Sequence, residues 1–238
     1  EIGVRLVGSE MCIRDRYEFG ITVEQDHRKA AELYIEAAEM GNEQAKNVFF
    51  FDFDQKPRIN TKQERVATIM EAAQMGYVDA QYSLGGRYRG GIGMRKSYPA
   101  AFYWLSKAAE QGHVEATYYL GAMYLRGRGT EVDIGKAKEL TRKAADLGYA
   151  PAQHEIGKVL LGEEGRKLEA IEWIRRSSDN GYRIAQFDLG TMHLQGDGVE
   201  FDPIRGMELL TSSAKQRYAS AAYKLKSSAF VGMSIRIS

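Results

Sequence analysis

A glycine recurs at Gly41, Gly76, Gly112, Gly148 and Gly181, with Arg217 in the next slot, and an alanine follows four residues later at Ala45, Ala80, Ala116, Ala152, Ala185 and Ala221. The spacings are 35, 36, 36, 33 and 36 residues, so one unit is written about six times. A fixed period of this length is the signature of stacked supersecondary units, each too small to bury its apolar face alone. Fifteen residues before each glycine slot stand Asp26, Thr61, Ser97, Asp133, Arg166 and Asp202. All but Arg166 are residue types whose side-chain oxygen satisfies the free N–H groups of a first helical turn. Thr61 with Glu64 has the capping-box spacing, and Pro99 and Pro203 lie just inside their helices, where a missing N–H costs little.

Each unit therefore reads as two helices. The first, for example 114–126, ends in a Gly-x-Gly turn at Gly127 and Gly129; the second, for example 133–147, has apolar residues at helical spacing and stops at a glycine. Few prolines (4) and many glycines (25) suit such a chain. Neighbouring pairs must stack into a solenoid.

The repeated residues carry a family resemblance. In one unit they are Ala116, Leu120, Gly121, Tyr124, Gly127, Gly129, Asp133, Lys136, Ala137, Leu140, Lys143, Ala144, Ala145 and Gly148; neighbouring copies show Leu84, Gly85, Tyr88 and Trp104, then Leu189, Gly190, Gly196 and Gly198. This pattern resembles the Sel-one-like repeat, a relative of the tetratricopeptide repeat. The resemblance covers residues 17 to about 232. It implies an all-α, right-handed α/α superhelical solenoid of about six helix-turn-helix repeats, forming one domain over 17–238.

Residues 1–16 stand apart. Leu6 to Arg16 reads as the translation of a common transposase sequencing adapter, and a non-native, disordered segment is expected there. Cys12, the single cysteine, lies inside it, so the rest of the chain offers no disulfide, thiolate ligand or thiol nucleophile. Tyr17, Gly20, Val23 and Asp26 fall in register with Tyr124, Gly127, Thr130 and Asp133, and Gly232 matches a first turn glycine. The expectation is a solenoid truncated at both ends. Two units depart from the pattern: the second replaces its core with Phe49 to Thr61, and the fifth is three residues short, with Arg166 in the cap slot.

Composition narrows the function classes. Lys and Arg number 33 against 32 Asp and Glu, a balance that lacks the electrostatic footprint of a nucleic-acid binder. No apolar run approaches the roughly 18 residues of a membrane span. The histidines His27, His113, His154 and His193 lie in different units without the spacing of a helical zinc pair, and His193 fills a core tyrosine slot. No metal and no cofactor is expected. The compartment, exported, periplasmic or cytoplasmic, is left open. Because some proteins with this repeat are linked to β-lactam or cell-wall chemistry, two serine patterns matter. Ser212 to Lys215 fits S-x-x-K and Ser178 to Asn180 fits S-D-N, but both fall in degenerate repeat slots and no K-T-G follows. The expectation is no catalysis, the alternative an exported hydrolase using Ser212 or Ser178, or a repeat spacer within a larger protein.

On a helical wheel of the first helices, the repeat alanine and the residues four and eight positions on form the core side. The opposite stripe varies from unit to unit. Its residues Ser83, Arg87, Tyr119, Arg126, Glu155, Lys158, Asp188, Thr191 and Gln195 are the expected partner-binding positions of a concave groove. The functional expectation is a non-catalytic adaptor or scaffold binding another protein or a peptide segment. Arg87, Arg89, Arg95, Lys96, Arg126 and Arg128 form a local basic rim suited to an acidic partner, but in a nearly neutral chain the expectation for it is a solvated turn.

Overall fold

The computed structural model describes residues 62–235, together with Lys29, Glu32, Leu33, Ile35, Glu36, Ala37 and Met40, with side chains described over 66–227 and at those seven residues. Residues 1–16, the irregular stretch 49–61 and the cap residues Asp26 and Thr61 lie outside the described residues. The chain divides into two compact units, Glu1–Ala137 and Lys138–Ser238. Among the described residues every regular element is a helix. The order is α1 (Lys62–Gln74), α2 (Val78–Gly90), α3 (Tyr98–Glu110), α4 (Val114–Arg126), α5 (Ile134–Asp146), α6 (Ala150–Leu161), α7 (Lys167–Asp179), α8 (Arg183–Gln195), α9 (Pro203–Lys215) and α10 (Ala219–Ile235). None of them is long and apolar enough to cross a membrane. The fold is an all-α solenoid of paired helices; the helix read at 114–126 has those bounds, and the one read at 133–147 is shorter by one residue at each end.

Caps explain those lengths. Ser97 accepts the Ala100 N–H at 3.3 Å and Asp202 the Arg205 N–H at 2.9 Å, and Asp133 does the same for Lys136 at 2.9 Å. Arg166, the exception in sequence, gives no side-chain cap; its guanidinium instead bridges Glu163 at 2.9 Å and Glu169 at 2.6 Å. At the far ends the slot glycines Gly76, Gly112, Gly148 and Gly181 all have positive φ. Arg217 occupies the same left-handed region at φ 59°, alone among the described non-glycine residues.

In the first unit, Ile35 and Ala37 pack with Ile69, Ala72, Ala73, Ala80 and Leu84 into one cluster. In the second, Ile171, Ile174, Ala185, Leu189, Met192 and Leu209 form another. Within a repeat the two helices approach until backbone meets backbone. A Cβ on Gly190 would lie 2.9 Å from the Gly206 carbonyl, so the Leu-Gly pair of the repeat is a packing requirement.

Buried amides recur between repeats. Gln81 Nε2 donates to the Ala73 carbonyl at 3.2 Å, and Gln153 Nε2 to Ala145 at 3.1 Å. The residue ending each second helix then completes the pattern. Gln111 donates to the Gly76 carbonyl (3.0 Å) and to Gln81 Oε1 (2.8 Å), Asn180 to Gly148 (3.2 Å) and Gln153 (2.9 Å), and Gln216 to Gly181 (2.9 Å) and Gln186 (3.0 Å). The carbonyls left over by a terminating helix thus find donors in the next repeat. In the repeat that follows Gly112 the corresponding positions are Thr117 and Leu147.

Candidate functional site

The first helices carry the varied stripe, and their aromatic residues decide what of it is exposed. The residue two after the repeat alanine meets the residue that opens the following first helix. Tyr82 stacks on His113 with ring centroids 4.2 Å apart, His154 meets Tyr182 at 5.5 Å, and Phe187 meets Tyr218 at 5.4 Å. A ring at this N-cap position displaces the usual capping oxygen. Tyr182 makes no side-chain cap bond, whereas His113 combines both roles, its Nδ1 accepting the Ala116 N–H at 3.2 Å. That bond requires the tautomer with the proton on Nε2, the nitrogen that lies 3.6 Å from Asp79.

In the first unit the four expected residues are not gathered into one site. Ser83 is only 1% exposed and so does not belong to an accessible stripe, although the wheel places it there. Neighbouring helices bury that side of α2. Arg87 is half-buried. Tyr119 is half-buried as well: it stacks on Tyr82 at 6.2 Å, and the Arg89 guanidinium lies 4.1 Å from its ring centre. Burial, then the neighbouring Tyr119 and Glu115, push the Tyr82 phenol up to about 12. Arg126 is exposed and donates to the Ala122 carbonyl of its own helix at 3.4 Å. Tyr82 and Glu115 were absent from the sequence expectation, where Arg89 stood only in the basic rim and His113 only among the dispersed histidines. The signal for the Tyr82–His113 stack was the ring that follows the slot position at Tyr77, His113, Tyr149, Tyr182 and Tyr218.

The second unit does bring expected residues together. Asp188 accepts a hydrogen bond from the His154 Nε2–H at 2.9 Å and faces Lys158 Nζ at 3.7 Å. Glu155 is half-buried, Lys158 and Gln195 are exposed, and Thr191 Oγ1 is buried without a hydrogen-bond partner among the described residues.

The serine patterns separate in the same way. Ser178 is 3% exposed, and its companion Asn180 is engaged with Gly148 and Gln153. Ser212 and Lys215 are exposed and line an open depression along α9 with Ile204 and Glu208. Ser213 beside them donates to the Arg183 carbonyl at 2.6 Å. His193 ties the following turn, its Nδ1–H donating to the Glu200 carbonyl at 3.1 Å. Among the described residues no group of three or more His, Cys, Asp and Glu could hold a metal ion.

Comparison with known proteins agrees with this architecture. The family model of the Sel1 repeat matches residues 9–42, 78–113, 114–149, 150–182 and 183–218. The first match takes in part of the segment read as adapter-derived, and the irregular second unit is passed over. No curated protein matches the sequence. Among solved structures, a Sel1 repeat protein from Oxalobacter formigenes is 27% identical, with a TM-score of 0.69 over 93% of this chain and 65% of that one. A protective antigen of uropathogenic Escherichia coli displaying an SLR fold is 26% identical over 94% of this chain and 57% of that one, with a TM-score of 0.43. An immunity protein from Pseudomonas aeruginosa shares the fold at 24% identity and a TM-score of 0.55, over 81% of this chain and 68% of that one. The chain spans less than two thirds of the length of the first two.

Proposed function

The chain belongs to the Sel1 repeat family, and from that premise we propose that it is a non-catalytic protein-interaction scaffold whose first helices hold a segment of a partner protein. One observation carries the reading. Along the first helices the core slots repeat as Ala80, Ala116, Ala152 and Ala185, while the slot three residues on, buried at Ser83, is accessible and changes from Tyr119 to Glu155 and Asp188. Packing alone asks for sameness; a surface read by a partner gains from difference. Several of these side chains are pre-ordered by neighbours, as Asp188 is by His154 and Tyr119 by Arg89. Ordering before binding lowers the entropy cost of recognition.

The test places a photo-crosslinking residue singly at Arg126, Lys158 and Gln195 on first helices, and at Glu139, Glu172 and Glu208 on second helices, all of them exposed. Crosslinks to one partner confined to the first set are expected. Equal crosslinking from both sets sinks the reading.

A further inference from the structure

Ion pairs are common on the described surface: Lys107 with Glu110, Arg142 with Asp146, Arg176 with Glu172 and Arg205 with Glu208. Five cations of the first unit depart from this habit. Arg89, Arg95, Lys96, Arg126 and Arg128 have no carboxylate partner among the described residues, and all sit at or beside the turns that follow α2 and α4.

The backbone brings two of them to one ring. Gly129, at φ 79°, packs so tightly on the start of α3 that a Cβ there would lie 2.3 Å from the Tyr98 carbonyl oxygen. Only glycine allows that approach, and it seats Arg128 with its guanidinium carbon 5.3 Å from the centre of the Tyr98 ring. Lys96 Nζ lies 4.8 Å from the centre of the same ring. Two like charges thus share one aromatic ring. Tyr98 registers the positive surroundings: its phenol is held below its ordinary value, first by the hydrogen bond from Lys96 and then by the charges of Arg128, Lys96 and Arg89.

The corresponding turn of the second unit solves the same problem differently. There the residue between the two glycines is Asp197, and it pairs with Lys167 at the start of the preceding second helix. Opposite charges meet at that position, whereas in the first unit Arg128 and Lys96 share the Tyr98 ring. Accumulated like charge costs free energy unless an anion relieves it.

We propose that this rim of Arg89, Arg95, Lys96, Arg126 and Arg128 is the docking point for a carboxylate-rich segment of the partner protein. The inference rests on the scaffold reading and names the chemistry that the scaffold selects. Guanidinium groups grip carboxylates in paired hydrogen bonds, and Arg95, Arg126 and Arg128 are exposed to do so. A nucleic acid fits less well. Base stacking needs free ring faces, and here the rings of Tyr98 and Tyr119 carry cations. The chain as a whole is also nearly neutral, at +1.

The experiment measures fluorescence anisotropy of a short labelled peptide of alternating glutamate and alanine against the full chain. Binding that weakens as salt rises is expected. The joint variant Lys96→Gln, Arg126→Gln, Arg128→Gln should bind roughly tenfold more weakly with unchanged melting. A control of equal charge loss, Arg142→Gln, Arg176→Gln, Arg205→Gln, should stay within about twofold of the unaltered chain. The proposal is overturned if the peptide fails to bind, if both triple variants lose equally, or if oligothymidylate of equal charge displaces the peptide and binds more tightly. A partner that crosslinks from the first helices regardless of the rim substitutions would leave the scaffold reading standing and remove this one.

Discussion

Tyr82 is the residue whose surroundings say most about how the first helices meet. Its ring lies 4.2 Å from that of His113 and 6.2 Å from that of Tyr119, and its phenol is pushed from 10.0 to about 12, chiefly by burial. A raised phenol value means that the fold favours the neutral form. The corresponding stability is complete below pH 10 and is lost as pH climbs through about 12. Between those limits the melting temperature of the unaltered chain is expected to fall more steeply than that of Tyr82→Phe, measured by circular dichroism; parallel slopes would refute the assignment. The wheel reading placed Tyr119 on an open stripe and overlooked Tyr82, because a wheel describes one helix in isolation. Ser83 was misplaced for the same reason, since its 1% exposure is set by neighbouring helices.

Helices begin and end where local chemistry tells them to, and most of that chemistry is visible in sequence. Ser97, Asp133 and Asp202 cap as their residue types require, and Gly91, Gly127 and Gly196 close the first helices in left-handed conformations. The two arginines that stand in cap and glycine slots act equally locally. Arg166 trades a cap for contacts with Glu163 and Glu169. Arg217 holds φ 59° without the freedom of glycine, a conformation that costs an L-residue about 1 kcal/mol. Arg217→Gly is therefore expected to stabilise the chain by roughly 0.5–1 kcal/mol, the relief of strain outweighing the entropy lost by glycine. Urea unfolding checks it, and a lower midpoint would contradict the account of this turn.

Across repeats the chain is held by nearest neighbours, as a solenoid must be. The amides are the clearest such link within each unit: Asn180 joins the Gly148 carbonyl of one repeat to Gln153 of the next. Asn180→Leu leaves the buried Gln153 oxygen unpaired and is expected to cost about 1–2 kcal/mol. The loss should appear as a lower urea midpoint at unchanged slope. An unmoved midpoint would mean that water replaces the amide without cost. The period, the two-helix unit, the cap residues and the absence of cysteine outside residues 1–16 were all legible in the sequence, because they depend on spacing and residue type within one unit. The exposed fraction of the varied stripe, the pairing of Asp188 with His154, and the meeting of Arg128 with Lys96 at Tyr98 were not. Those depend on which side chains of successive units face one another, and only the stacking of one repeat on the next decides that.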